Sequence, residues 1–151
     1  MNKKVPLIIG AGHGWCATTP LHLTLQCANK CSHAGLLKED HLLMHIYDPS
    51  MWETRKYWYD KFIAAKYTPT RNRFRGYLGT YGFHHNQEEI EDYYCQNPTL
   101  QTYIRYYTRH YERVKEKYKY VSDFSNSVAN LPRQFIAKIA PVLKNTLISR
   151  F

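Results

Sequence analysis

Gly10, Gly12 and Gly14 stand two apart directly after the apolar run Val5-Pro6-Leu7-Ile8-Ile9, and Thr18 and Thr19 follow shortly afterwards. The run is short and β-branched, the signature of a buried strand. Glycines let the backbone turn sharply and come close to a ligand. Amides at the start of a following helix, joined by the Thr18 and Thr19 hydroxyls, would then face an anion such as a phosphate. A tight turn with no ligand is the plainer alternative. A Walker A loop is excluded, because no lysine lies between Lys4 and Lys30. The dinucleotide fingerprint fits poorly as well: its third glycine falls on Trp15, where close helix-on-strand packing needs a small residue. A second group with chemistry is Glu39 and His41 in Leu36-Leu37-Lys38-Glu39-Asp40-His41-Leu42-Leu43. Ordinary surface residues at a strand end would read the same way.

Gly12-His13-Gly14-Trp15-Cys16-Ala17-Thr18-Thr19 resembles the 5'-phosphosulfate loop of the sulfotransferase family, which reads glycine, two variable residues, Arg or Lys, a small residue, Gly, Thr, then Thr or Ser. Ala17 stands where the family has glycine, and Trp15 where it has a basic residue; His13 is the nearest candidate to stand in for that charge. Lys38-Glu39-Asp40-His41 is similar to the family's Lys-Glu-x-His segment, in which the glutamate is the general base and the histidine supports it. The further acidic residue expected there falls on Met44. Tyr120-Val121-Ser122-Asp123-Phe124-Ser125-Asn126-Ser127 looks like the family's cleft-lining turn as phage and bacterial-type members carry it.

The resemblance implies an α/β fold with a parallel sheet flanked by helices, the P-loop NTPase-like sulfotransferase fold, truncated at its C-terminus. No Arg-Asp-Pro occurs to hold the 3'-phosphate, and Leu147 to Phe151 falls where the strand carrying that signature would begin. The chain is thus expected to be the N-terminal portion of a single domain spanning 1–151. The implied co-substrate is 3'-phosphoadenosine 5'-phosphosulfate, bound by Gly12, Gly14, Trp15, Cys16, Ala17, Thr18 and Thr19, with Glu39, His41 and His13 as catalytic residues and no metal. The acceptor would be a hydroxyl or amine, a carbohydrate among the candidates.

The elements that must position these residues are legible in outline. Leu21 to Cys31 reads as a first helix and Leu36 to His41 as the second strand or its end. Asp48 or Ser50 would cap a helix starting near Met51, with Trp52, Tyr59, Phe62 and Ile63 as its apolar positions. Pro69, Gly76, Gly79 and Gly82 mark a loop-rich insertion around 68–98. From Thr99 to Tyr118, Leu100, Tyr103, Tyr107, Tyr111, Val114 and Tyr118 recur at three and four, a helix whose tyrosines belong to the core with hydroxyls at its edge. Val121 opens a third strand, Arg133 to Lys144 is a helix bent or split by Pro141, and Leu147 to Phe151 opens a fourth strand. That order predicts a parallel sheet with its site at the strand ends.

Composition narrows the partners. The formal net charge of +9 favours an anionic one: a sulfonucleotide, an acidic glycan or, as the weaker candidate, nucleic acid. Arg71, Arg73 and Arg75 alternate and would share one side of an extended segment, or else form a solvated loop. Cys27 and Cys31 invite a zinc reading, but a second ligand pair is lacking and free thiols suit a cytoplasmic chain better. His84-His85 before Glu88, Glu89, Glu91 and Asp92 reads as a polar loop entering a helix rather than a metal site. No apolar run approaches a membrane span. The alternative to an enzyme is a non-catalytic anion or nucleic-acid binder that kept the loop and lost the chemistry.

Overall fold

The computed structural model describes residues 4–10, 18–25, 31–35, 39–67 and 87–150. The chain builds an α/β fold with a parallel sheet flanked by helices. Its strands are β1 (Val5–Ile9), β2 (Ser32–Ala34), β3 (Tyr120–Asp123) and β4 (Leu147–Arg150). The sheet order is β2-β3-β1-β4: β3 pairs with β2 on one side and β1 on the other, and β4 lies along the far side of β1, every pair parallel. Helices α1 (Thr18–Leu23), α2 (Leu42–Tyr47), α3 (Met51–Tyr67), α4 (Gln87–Tyr93), α5 (Leu100–Val114) and α6 (Arg133–Thr146) connect them. A 3-10 turn, Asn126–Asn130, precedes α6.

Strand β1 has a neighbour on each side; one of its faces, with Val5, Leu7 and Ile9, is buried, and the other, with Pro6 and Ile8, is half-buried. Parallel neighbours need crossovers, and right-handed crossovers put connections running in opposite directions on opposite faces of the sheet. The β1–β2 connection runs one way, whereas β2–β3 and β3–β4 both run the other. Helices α5 and α6 accordingly touch each other. The core lies between them and the sheet, where Leu7, Val121, Tyr103, Tyr107, Val114 and Leu143 are almost wholly shut off from water.

Helix α5 organises this layer. Thr99 caps it through a reciprocal box, its hydroxyl accepting from Thr102 N at 3.2 Å while its own N–H bonds the Thr102 hydroxyl at 3.2 Å. Its buried stripe is wider than the three-four pattern suggests, because Tyr106 and His110 are enclosed as well. The helix ends at Val114, short of Tyr118, and Lys115 to Lys117 form a turn.

Two expectations need correction. The second strand is Ser32–Ala34, not Leu36 to His41; its residues are small or polar and hide the strand signal, and Gly35 ends it. The first helix starts at Thr18 rather than Leu21, and Cys31 lies outside it, its carbonyl accepting from Tyr120 N beside β2. The helix expected at the acidic run is α4, whose Glu89, Asp92 and Tyr93 are buried; residues 68–86, with Arg71, Arg73, Arg75, His84 and His85, lie outside the described residues. Helix α6 continues through Pro141 without being split.

Candidate functional site

Strands β1 and β3 are neighbours whose onward connections leave in opposite directions, the topology that in parallel sheets puts ligand sites at the C-terminal strand ends. Gly10 closes β1 by donating its N–H to the Asp123 carbonyl at 2.8 Å. The Phe124 ring lies directly over Gly10: a Cβ there would come within 2.4 Å of it. Gly10 is therefore required by close approach of a neighbouring ring.

The segment after β2 reaches the residues that follow β3. Glu39 Oε2 lies 3.6 Å from His41 Nε2, and the other ring nitrogen, Nδ1, lies 2.8 Å from Ser127 Oγ. The His41 N–H donates to Ser125 Oγ at 2.9 Å, and the Ser125 hydroxyl in turn donates to Asp123 Oδ1 at 2.5 Å. The Ser125 N–H bonds the same carboxylate oxygen at 3.0 Å. His41 has a left-handed backbone, φ 55° and ψ 16°, the one such non-glycine among the described residues. A histidine there costs of order 1 kcal/mol, which the two serine contacts offset. That conformation turns the chain from the 39–40 segment into α2.

Asp40 points the opposite way and is fully buried. Its Oδ2 accepts from the Tyr107 hydroxyl at 2.9 Å, and it packs so tightly on Gly35 that a Cβ there would lie 2.2 Å from the carboxylate. One turn earlier on α5, the Tyr103 hydroxyl donates to Asp123 Oδ2 at 3.1 Å. Burial, then the nearby carboxylates, pushes both phenols well above their ordinary range.

Arg55 of α3 ties this floor to the surrounding loops. Its guanidinium is buried, bonds the carbonyls of Asp40 (3.1 Å), Cys95 (3.4 Å) and Tyr93, and lies over the Tyr93 ring at 4.6 Å. It also meets His45 Nδ1 at 2.7 Å. Burial and then the Arg55 charge lower the His45 pKa to about 4, so His45 is neutral at physiological pH and accepts from the guanidinium. A separate buried cluster joins β2 to α4 and α5: His33 Nδ1 lies 3.0 Å from His110 Nε2, and Arg113 bridges His110 (3.0 Å) and Glu89 (2.8 Å).

Of the residues singled out from sequence, Glu39 and His41 are brought together, and beside them stand Asp123, Ser125 and Ser127 of the third segment. Thr18 and Thr19 open α1. Gly12, His13, Gly14, Trp15, Cys16 and Ala17 lie outside the described residues. Cys31 and Cys95 carry free thiols. Sequence reasoning passed over Gly35 and Asp40 and put the α5 tyrosine hydroxyls at the core's edge, whereas Tyr103 and Tyr107 point theirs into the interior. Their three-four spacing shows a buried face but carries no sign of what the hydroxyls meet. Among the described residues no helix is long and apolar enough to cross a membrane. No family model, curated protein or solved structure matches the chain.

Proposed function

We propose that this chain is a sulfuryl-transfer protein that takes 3'-phosphoadenosine 5'-phosphosulfate as donor and a hydroxyl or amine, such as one on a carbohydrate, as acceptor. The observation that carries this reading is convergence. Two segments resembling one family's motifs, distant in sequence, meet at the end of β3, and β1, which leads into the third, ends beside them. The His41 N–H bonds Ser125, the His41 ring bonds Ser127, and the Gly10 N–H bonds Asp123. The P-loop-like sulfotransferase fold belongs to the same proposal, supported by the central position of β1 in the order β2-β3-β1-β4.

In this mechanism the donor phosphosulfate lies along the glycine loop from Gly12 to Ala17, with the Thr18 and Thr19 hydroxyls as further donors. The acceptor oxygen or nitrogen attacks sulfur in line with the bridging oxygen. A new bond to sulfur forms, the bond from sulfur to the bridging oxygen breaks, and adenosine 3',5'-bisphosphate leaves. Glu39 takes the acceptor proton, with His41 alongside at 3.6 Å to stabilise the carboxylate. Alignment of the two substrates supplies much of the rate, since proximity is worth about 7–11 kcal/mol. Trp15 in place of a basic residue removes one charge from the leaving group. By analogy with losing one oxyanion donor, that costs about 3 kcal/mol, and His13 is the candidate to recover part of it.

Calorimetric titration with adenosine 3',5'-bisphosphate, against ATP as control, tests the reading. Selective binding that is lost in Thr18→Ala supports it; equal or absent binding of the two nucleotides overturns it for this chain. With an acceptor in hand, Glu39→Gln should abolish transfer and leave nucleotide affinity nearly unchanged. A second reading, a non-catalytic anion or nucleic-acid binder, is favoured by Trp15 and the charge of +9. It requires RNA or DNA binding that falls steeply with salt.

A further inference from the structure

We infer that Ser127 is a positioning residue for the Glu39–His41 pair, its hydroxyl anchoring the His41 ring at Nδ1 while the Glu39 carboxylate draws the ring proton to Nε2. The argument starts from the two ends of the ring. Nε2 faces the Glu39 carboxylate at 3.6 Å, and a carboxylate only accepts, so attraction there requires a proton on Nε2. A neutral imidazole has one N–H, which leaves Nδ1 bare. Nδ1 lies 2.8 Å from Ser127 Oγ, and both residues are buried, at 7% and 8% exposure. The serine hydroxyl donates to the bare nitrogen and holds the ring with Nε2 toward Glu39.

A hydroxyl also accommodates the other state. When His41 takes a second proton, Nδ1–H donates and Ser127 Oγ accepts, by rotation of one O–H bond. A group beside a base whose charge changes in each cycle needs a partner of this kind. The main chain is fixed separately: the His41 N–H is held by Ser125, which is held by Asp123 at the end of β3. Thus Ser125 sets where His41 sits, and Ser127, two residues on, anchors its ring with Nε2 toward Glu39.

The consequence for catalysis rests on the reading of Glu39 as base; the tautomer does not. The test is long-range proton–nitrogen correlation NMR on the 151-residue chain labelled with 15N-histidine, the His41 signals being assigned by their loss in His41→Gln. The expected result is the Nε2–H form in the wild type and in Ser127→Thr, which keeps the hydroxyl, and a mixture in Ser127→Ala, which does not. A wild type in the Nδ1–H form, or a folded Ser127→Ala with the wild-type tautomer, overturns the inference. If Ser127→Ala does not fold, the wild type and Ser127→Thr decide, and a threonine variant unlike the wild type also overturns it. Titrating the same samples with adenosine 3',5'-bisphosphate separates the two ideas. Absent binding with the expected tautomers removes the sulfuryl reading and keeps the Ser127–His41 link; binding with the wrong tautomers does the reverse.

Discussion

The Tyr107 hydroxyl donates to Asp40 Oδ2 across 2.9 Å, and both side chains are shut off from solvent. Tyr103, one turn earlier on α5, makes the matching bond to Asp123. A single helix thereby holds two carboxylates from separate segments, the one that carries Glu39 and His41 and the one that carries Ser125 and Ser127. Removing the Tyr107 hydroxyl leaves Asp40 buried with one donor fewer, at a cost of about 1–3 kcal/mol. Tyr107→Phe should lower the urea midpoint accordingly with an unchanged slope. A shift below about 0.5 kcal/mol would mean that Asp40 is satisfied without it.

Alkali should unfold the protein through the same tyrosines. Tyr93, Tyr103 and Tyr107 have pKa values raised above the ordinary 10.0, chiefly by burial. Below pH 10 both the folded and the unfolded chain keep the phenol protons, and the contribution is complete. Above it the unfolded chain ionises while the folded one does not, so stability falls. Each tyrosine takes away about 1.4 kcal/mol per pH unit. Thermal unfolding followed from pH 8 to 12 should show a steep loss beginning near 10, shallower in Tyr103→Phe than in the wild type.

On the acid side the group to watch is His45, whose pKa is lowered from 6.5 to about 4 by burial and by Arg55. Its stabilising contribution is whole above pH 6.5. Between 6.5 and 4 the unfolded chain takes up a proton that the folded chain refuses, and the contribution is lost as pH falls. The loss is of order 2 kcal/mol over that interval. His45→Gln, which keeps an acceptor for Arg55, should flatten this part of the melting temperature against pH. An unchanged slope would show that other groups set it.

How far the sequence announced these features depends on which physical signal each one leaves. Strand β1 was legible as a short, β-branched apolar run, and helix α5 because burial imposes a period of three to four residues. Strand β2 left no such trace: Ser32, His33 and Ala34 are all buried by their neighbours, and nothing in their polarity says so. Glu39 and His41 could be proposed as a pair only because Lys38-Glu39-Asp40-His41 resembles a known family segment. Asp40 between them could not be assigned to the interior, since its burial depends on Tyr107 donating from 67 positions away and on Gly35 leaving room. Gly10 was read correctly as special, but the cause is the Phe124 ring, which only the pairing of β1 with β3 brings there.

That ring gives the last prediction. A Cβ on Gly10 would lie 2.4 Å from Phe124 Cδ1 and 2.8 Å from Cε1, far inside contact distance, and Phe124 is 1% exposed. The ring has little room to swing away, so Gly10→Ala must push it into the core or pull the end of β1 off β3. The second course strains the bond from Gly10 N–H to the Asp123 carbonyl and shifts Ser125, which holds His41. Overpacking of this kind costs about 1–3 kcal/mol. Phe124→Leu alone should destabilise by leaving a void, yet combined with Gly10→Ala it should recover part of the loss, because the smaller side chain makes room for the added methyl. Denaturation of the two single variants and the double variant measures that coupling. Simple additivity would mean that the backbone, and not the ring, gives way.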